Sequence, residues 1–369
     1  MVTGQTRYAM ALIHRAIREL RKTISRMLLL SLPAAVVLLL VYVFYIVHLT
    51  TQDRQKEFHR INVLQSKFYR LNDTVVNAHN FTKLIEPTIP CRNSTNHGPF
   101  LVMLIPSTVG RENRRDIIRT SWGSYVKRNG TRWPNIQMPK WTQPAFQNFK
   151  MYFLFGTKPN STWHHKLKLE NKKYGDIIQE DFIDTYSNLT IKSIMGLKWA
   201  VTNCKGAKYV MKVDDDVFVN MPNLVRFLEN IRPVKGIGGM ISKRALVWRE
   251  GKWEITVNDF PFSRYPKYAV GCSYIMGLPV AEKLYKTSLH VPYIHLEDVY
   301  VTGILAKIND LTHYNDKGFS DALRKPPTSA CVLIRGNPIT STNWKQPNGI
   351  LNLWKELLDI DTGRNNRTC

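Results

Sequence analysis

The stretch AKYVMKVDDDVFVN, residues 207–220, decides how this chain folds. An apolar run, YVM, leads into three consecutive carboxylates, Asp214, Asp215 and Asp216, and a second run, VFV, follows at once. If the first run is a strand entering a sheet, the acids arrive at its carboxyl end. A side-chain period of two then turns Asp214 and Asp216 to one side and Asp215 to the other. Three acids packed so closely repel one another unless a cation lies among them. A hard divalent ion such as Mn²⁺ or Mg²⁺ takes one or two carboxylates and leaves positions for diphosphate oxygens. The competing reading is a solvated acidic turn, which a bare DxD often is. Apolar residues on both sides argue against full exposure here.

Outward from this stretch, short apolar runs alternate with amphipathic segments. FLVMLI from Phe100, MYFLF from Met151 and YVMKV from Tyr209 read as buried strands, and residues 113–122, 188–201 and 223–231 read as helices. That alternation predicts an α/β fold with a largely parallel, doubly wound sheet, whose ligands sit beyond the carboxyl ends of the strands. A second acid pair, Glu297 and Asp298, opens the segment HLEDVYVTGILAKI, residues 295–308. Acids in the first turn of a helix complement its dipole, so capping and catalysis explain the pair equally well.

With 369 residues, 44% of them hydrophobic, the chain is large enough for a full core, and its net charge of +24 points to an acidic partner or surface. Residues 27–49 carry no acid, Lys or Arg. As a helix they span roughly 30 Å, the thickness of a bilayer core. The run is too long and starts too far inside the chain for a cleaved signal peptide, so a signal anchor is expected. Arg7, Arg15, Arg18, Arg21, Lys22 and Arg26 precede it against the single acid Glu19, which keeps the tail cytoplasmic and exports the remainder. The resulting plan is a tail over 1–26, an anchor over 27–49, a stem over 50–90 and a catalytic domain over 91–369. In the stem, Ile61, Leu64, Phe68, Leu71 and Val75 alternate spacings of three and four, a pattern for weak self-association as a homodimer. Seven N-x-[ST] sequons, beginning at Asn72, Asn80, Asn93, Asn129, Asn160, Asn188 and Asn366, all follow the anchor. Cys91, Cys204, Cys272, Cys331 and Cys369 form no CxxC pair, which favours disulfides in an oxidising lumen over a metal site.

From about Glu86 to Cys369 the chain resembles the animal β-1,3-galactosyltransferases. The likeness rests on ordered blocks: FLVMLI followed by RRDIIRTSWG, then EDFIDTYSNLTIKSIMGLKWAV, AKYVMKVDDDVFVNMPNL, YPKYAVGCSYIMG and LYKTSLHVPYIHLEDVYV. This resemblance implies a GT-A, Rossmann-like catalytic domain behind a type II Golgi anchor. It also implies metal-dependent, inverting transfer of a sugar from UDP-galactose to a glycan on glycoprotein or glycolipid. Carried over position by position, it implies that Asp216, with Asp214, holds Mn²⁺ (Mg²⁺ as the alternative), and that Asp214 and Asp215 face the donor. Arg115 and Arg119, with Trp122 and Gly123, would line the nucleotide side, and Asp298 would be the general base with Glu297 beside it. Where relatives read YPxY or YPxF followed by Cys, this chain has Ala269, with Cys272 three residues on. That departure leaves pairing among Cys91, Cys204, Cys331 and Cys369, with Cys272 free. Relatives also carry a His beyond the position of Cys331, whereas CVLIRGNPITST has none; His313 is nearby but is left off the ligand set.

Trp133, Trp141, Trp248 and Trp253 are either acceptor-stacking residues or packing under loops. Two other function classes account for part of the sequence. A tethered lectin would use the acids for Ca²⁺, and a phosphoryl-transfer enzyme would need a second metal cluster about 4 Å away, which is not apparent. Nucleic-acid binding would account for the charge but conflicts with an exported domain.

Overall fold

The computed structural model describes residues 14–23, 32–71, 73–91, 98–127, 148–159, 161–231, 235–319, 328–342 and 348–364. Trp133, Trp141 and the sequons at Asn72, Asn93, Asn129, Asn160 and Asn366 lie outside them. The chain divides into two compact units, Met1–Arg70 and Leu71–Cys369.

The first unit is helical over residues 14–23 and in α1 (Leu32–Phe68). From Val36 this helix is long and apolar enough to cross a membrane. Its apolar side chains face outward, Phe44 being 77% exposed, as an anchor in lipid requires. The helix runs unbroken into the expected stem and ends at Phe68, so the stripe begun by Ile61 and Leu64 stops there. Leu71 and Val75 are off the helix.

The second unit is built on an eight-stranded sheet in the order β1-β4-β3-β2-β5-β8-β7-β9. The strands are β1 (Lys83–Ile85), β2 (Leu101–Pro106), β3 (Phe149–Thr157), β4 (Ile177–Ile183), β5 (Tyr209–Val213), β7 (Gly236–Ser242), β8 (Tyr268–Gly277) and β9 (Thr312–Asn315); β6 (Phe218–Val219) pairs with β10 (Thr340–Ser341) in a separate ribbon. The expected α/β class holds, but the sheet is mixed. β4, β3, β2 and β5 run parallel, while β8 lies antiparallel between β5 and β7, and β1 lies antiparallel on β4. Because β1 and the backbone bonds from Val76 and Asn77 to the Leu289 carbonyl belong to this unit, residues 71–90 are part of the globular unit rather than of a free stem.

Apolar residues cover both faces of the central strands, which is why those strands read as continuous hydrophobic runs. Leu101, Met103 and Ile105 face a core shared with α2 (Glu112–Thr120) and the C-terminal helix Gly349–Asp361. On the opposite face, the helix Leu189–Asn203 sits so close that a Cβ on Gly196 would come within 2.6 Å of Leu154. Any larger residue there would have to push the Leu154 side chain aside for helix and sheet to meet. Cys204, which caps that helix, is disulfide-bonded to Cys91, Cys331 is also in a disulfide, and Cys272 is free and buried.

Candidate active site

The strand order reverses between β2 and β5, the point at which a ligand crevice is expected beyond the carboxyl ends of the strands. Ser107 follows β2 and Asp214–Asp216 follow β5. Ser107 Oγ donates to Asp215 Oδ2 at 2.8 Å, and Arg111 donates to Asp215 Oδ1 at 2.8 Å. Asp215 is thus buried and fully engaged, whereas the carboxylates of Asp214 and Asp216 are 35% and 50% exposed. Arg114 on α2 lies 3.3 Å from Asp216. Lys192 fixes the turn after β2 from below: its Nζ donates to the Ser107 carbonyl at 2.8 Å and lies 2.7 Å from Asp184.

The second acid pair reaches the same crevice because β8 lies beside β5. The Asp214 amide donates to the Cys272 carbonyl, which brings Gly271 alongside the acids. The Gly271 amide donates to Asp298 Oδ2 at 2.9 Å, and the Val299 amide donates to Asp298 Oδ1 at 2.8 Å. A Cβ on Gly271 would stand 3.1 Å from that Oδ2, so the bare backbone lets the carboxylate close on the strand without being pushed back. Asp298 caps a wide-turn helix, Val299–Ile304, as the dipole argument expects, and it also faces the site. Glu297 is 3% exposed and accepts from the Tyr274 hydroxyl at 2.5 Å.

One buried cation joins the two acid clusters. Lys212, 3% exposed, donates to Asp214 Oδ1 at 2.6 Å and to the Gly271 carbonyl, and its Nζ lies 3.5 Å from Glu297 Oε2. Burial alone would lower its affinity for a proton, but Asp214 and Glu297 outweigh that and hold it charged well above the ordinary lysine range. Burial, reinforced by Glu297, pushes the Asp298 carboxyl up to about 6, against the two backbone amides and Lys212, which pull it down.

Arg115 and Arg119, expected to line the nucleotide side, are instead buried at 0% and 4% exposure. Arg115 pairs with Glu170 at 2.6 Å, and Arg119 pairs with Glu170 and Asp176, both at 2.7 Å. Their guanidinium groups rest on Phe155 and Phe153. Saturated by buried carboxylates, they have no face to offer a diphosphate. Among the described residues, the arginines that reach the triple acid are Arg111 and Arg114. Arg115 acts at one remove by donating to Ser107 Oγ, and Trp122 is wholly buried in the core.

The donor set suits a hard cation: Asp216 presents a half-exposed carboxylate and Asp214 keeps its Oδ2 apart from the Lys212 bond. Among the described residues no cluster of three or more acids, His or Cys could hold a metal unaided, so a diphosphate would have to complete the shell. His313 Nε2 donates to the Thr302 carbonyl at 2.7 Å and lies off the site. Trp248 is 58% exposed, and Trp253 Nε1 donates to the Tyr186 hydroxyl. The Asn188 side chain is half-buried and its amide donates to the Ile183 carbonyl at the surface, whereas Asn80 is exposed.

A family model described as galactosyltransferase matches residues 113–317. The chain is 34% identical over 271 residues to human beta-1,3-galactosyltransferase 1, covering 72% of this chain and 77% of the relative. It is 32% identical over 284 residues to human beta-1,3-galactosyltransferase 5, covering 75% and 83%. Among solved structures it is similar to mouse xyloside xylosyltransferase 1 in its apo form, at 12% identity and a TM-score of 0.29, covering 59% of this chain and 84% of that one.

Proposed function

The chain belongs to the galactosyltransferase family and is a hexosyltransferase, and from that premise we propose that it transfers galactose from UDP-galactose to the 3-hydroxyl of an acceptor glycan on glycoprotein or glycolipid, forming a β-1,3 linkage with inversion. The observation that carries this reading is the convergence of two acid clusters on one crevice, joined by Lys212. A binding module needs one cluster; a displacement needs a base on one side and a charge-bearing leaving-group site on the other.

Asp298 is the base. Two backbone amides fix its carboxylate, and its raised pKa brings it close to neutral pH, where it takes the proton from the attacking hydroxyl as the new bond forms at the anomeric carbon. UDP leaves from the opposite face. Arg111 and Arg114 supply positive charge beside Asp215 and Asp216, in position to hydrogen-bond the departing diphosphate. Asp216 with Asp214 would hold Mn²⁺ or Mg²⁺, which when bound neutralises charge on the diphosphate. The apolar helix from Val36 fits a membrane anchor, and the Cys91–Cys204 disulfide suits an oxidising compartment, which supports a single-pass type II protein of the Golgi membrane with this domain lumenal.

The test is to incubate the full-length chain, purified in detergent, with UDP-galactose, UDP-N-acetylglucosamine, UDP-N-acetylgalactosamine and simple β-linked acceptors, reading the linkage of any product. Galactose on a 3-hydroxyl is the expected outcome. Transfer of another sugar would correct the donor, and metal-dependent glycan binding without transfer would replace the enzyme with a lectin.

A further inference from the structure

Residues 243–267 join β7 to β8. Since β7 runs parallel to β5, this connection stands on the same edge of the sheet as the crevice. It is tightly organised: Arg249 donates to the carbonyls of Ile255, Thr256, Phe260 and Phe262 at 2.8–2.9 Å, and the Tyr265 amide donates to the Ala245 carbonyl. Trp253 ties it to Tyr186 on the loop after β4. Its last residues lie on the helix that Asp298 caps, where a Cβ on Gly303 would stand 3.1 Å from Tyr268 and 3.3 Å from Pro266.

Within this lobe Tyr265 is 6% exposed, its ring 5.0 Å from that of Phe260 and 6.2 Å from that of Tyr268. Its hydroxyl is buried and, among the described residues, has no hydrogen-bond partner. An unsatisfied buried hydroxyl is destabilising, so a fold that keeps one where phenylalanine would pack as well is keeping it for something absent. Pro266, next to it in the chain, and Tyr268, in ring contact with it, pack against Gly303 of the helix that Asp298 caps, which puts Tyr265 on the base's side of the crevice. Burial raises its pKa to about 12, so at working pH it is a neutral donor.

We propose that the Tyr265 hydroxyl belongs to the acceptor subsite, where it donates a hydrogen bond to an oxygen of the acceptor sugar beside the hydroxyl that Asp298 deprotonates, and so fixes which hydroxyl meets the base. The assignment rests on the transferase reading above. It makes Tyr265 a specificity-determining residue, since a site built to hydrogen-bond a hydroxyl rejects the sugar that lacks it.

The experiment compares the full-length protein with its Tyr265→Phe variant, using UDP-galactose and p-nitrophenyl β-N-acetylglucosaminide, or whichever simple acceptor the unmodified protein uses. The expected result is an acceptor KM raised roughly tenfold or more, with donor KM, calorimetric UDP affinity and thermal midpoint unchanged or the midpoint slightly higher. A purely structural tyrosine would move the midpoint and leave the KM values alone, and an unchanged acceptor KM overturns the assignment. A second arm needs no variant: among acceptors made deoxy at one position other than the attacked hydroxyl, one must lose a comparable factor with the unmodified protein and nothing further with Tyr265→Phe. If no deoxy acceptor is penalised, the proposal falls while the transferase reading stands. If the unmodified protein transfers sugar to no acceptor, the transferase reading falls first.

Discussion

The Lys212 ammonium lies 3.5 Å from the Glu297 carboxylate while it bonds Asp214 at 2.6 Å, so the acids after β5 and those at the head of the helix Val299–Ile304 share one buried counter-charge. Removing it would leave two carboxylates facing each other without compensation. Lys212→Met should therefore destabilise the protein by about 3–5 kcal/mol, read as a lowered denaturation midpoint, and in whatever folds should reduce transfer by at least about 100-fold. A variant of normal stability and turnover would show that the two clusters work independently.

The pH profile follows from Asp298. A base must be unprotonated, and this carboxyl titrates near 6, so kcat/KM should rise about tenfold per pH unit below about 6 and level off above it. Asp298→Asn should remove that limb and lower transfer by at least roughly 100-fold, leaving UDP affinity within a few fold. Both Asp298 oxygens accept backbone N–H bonds, so the amide must turn an N–H₂ toward one of them, and a stability loss of about 1–3 kcal/mol is expected. Glu297→Gln is the matched control. If the loss of turnover appears only there, the base is the neighbouring residue.

Arg111 and Arg114 differ from Arg115 and Arg119 in what their removal should do. Arg114→Gln should fold normally and weaken UDP binding by roughly tenfold, an effect that shrinks as salt is added; Arg111→Gln should weaken it similarly but also lower the denaturation midpoint, because it leaves the buried Asp215 without its nearest counter-charge. Arg119→Gln should instead leave Asp176 and Glu170 buried without their partner and cost about 3–5 kcal/mol. Calorimetry with UDP and a denaturation curve for each variant separate the two classes.

Asp216→Ala should abolish the part of UDP affinity that depends on added Mn²⁺, with the fold unchanged because the side chain is half exposed. Titrations with and without the ion read this directly. Equal affinity in both would return the triple acid to a turn that merely orders the two arginines.

The Cys91–Cys204 bond closes a sequence separation of 113 residues. Replacing both cysteines with alanine should cost about 2–5 kcal/mol, and mild reduction of the unmodified protein should lower its denaturation midpoint comparably.

Local signals in the sequence were enough for β2, β3 and β5, for the helices near 113–122, 188–201 and 223–231, and for the two acid clusters, because YVM before Asp214 and the apolar residues after Asp298 are patterns within a few residues. The arginines of α2 misled because their partners are distant: Glu170 lies 55 residues beyond Arg115 and Asp176 lies 57 beyond Arg119. A helix that buries arginines against remote acids has the same periodicity as one that exposes them. The antiparallel insertion of β8 was equally unreadable, since nothing in residues 243–267 states which way the next strand runs. Lys212 did leave a signal, a lysine inside a strand otherwise apolar, at the spacing of two that puts it on the side of Asp214. Tyr265 left none, because only the packed structure shows that its hydroxyl has no partner.

The short strand β1 has a practical bearing on how a secreted form of this protein can be made. Lys83–Ile85 covers the outer edge of β4, and an uncovered edge strand is a template for pairing with other chains. A truncation after residue 90, the boundary that composition alone invites, would strip that cover and yield material prone to aggregate. A cut at Leu71 keeps the edge closed and should give soluble protein, so the useful boundary is set by the sheet rather than by where the polar stem ends.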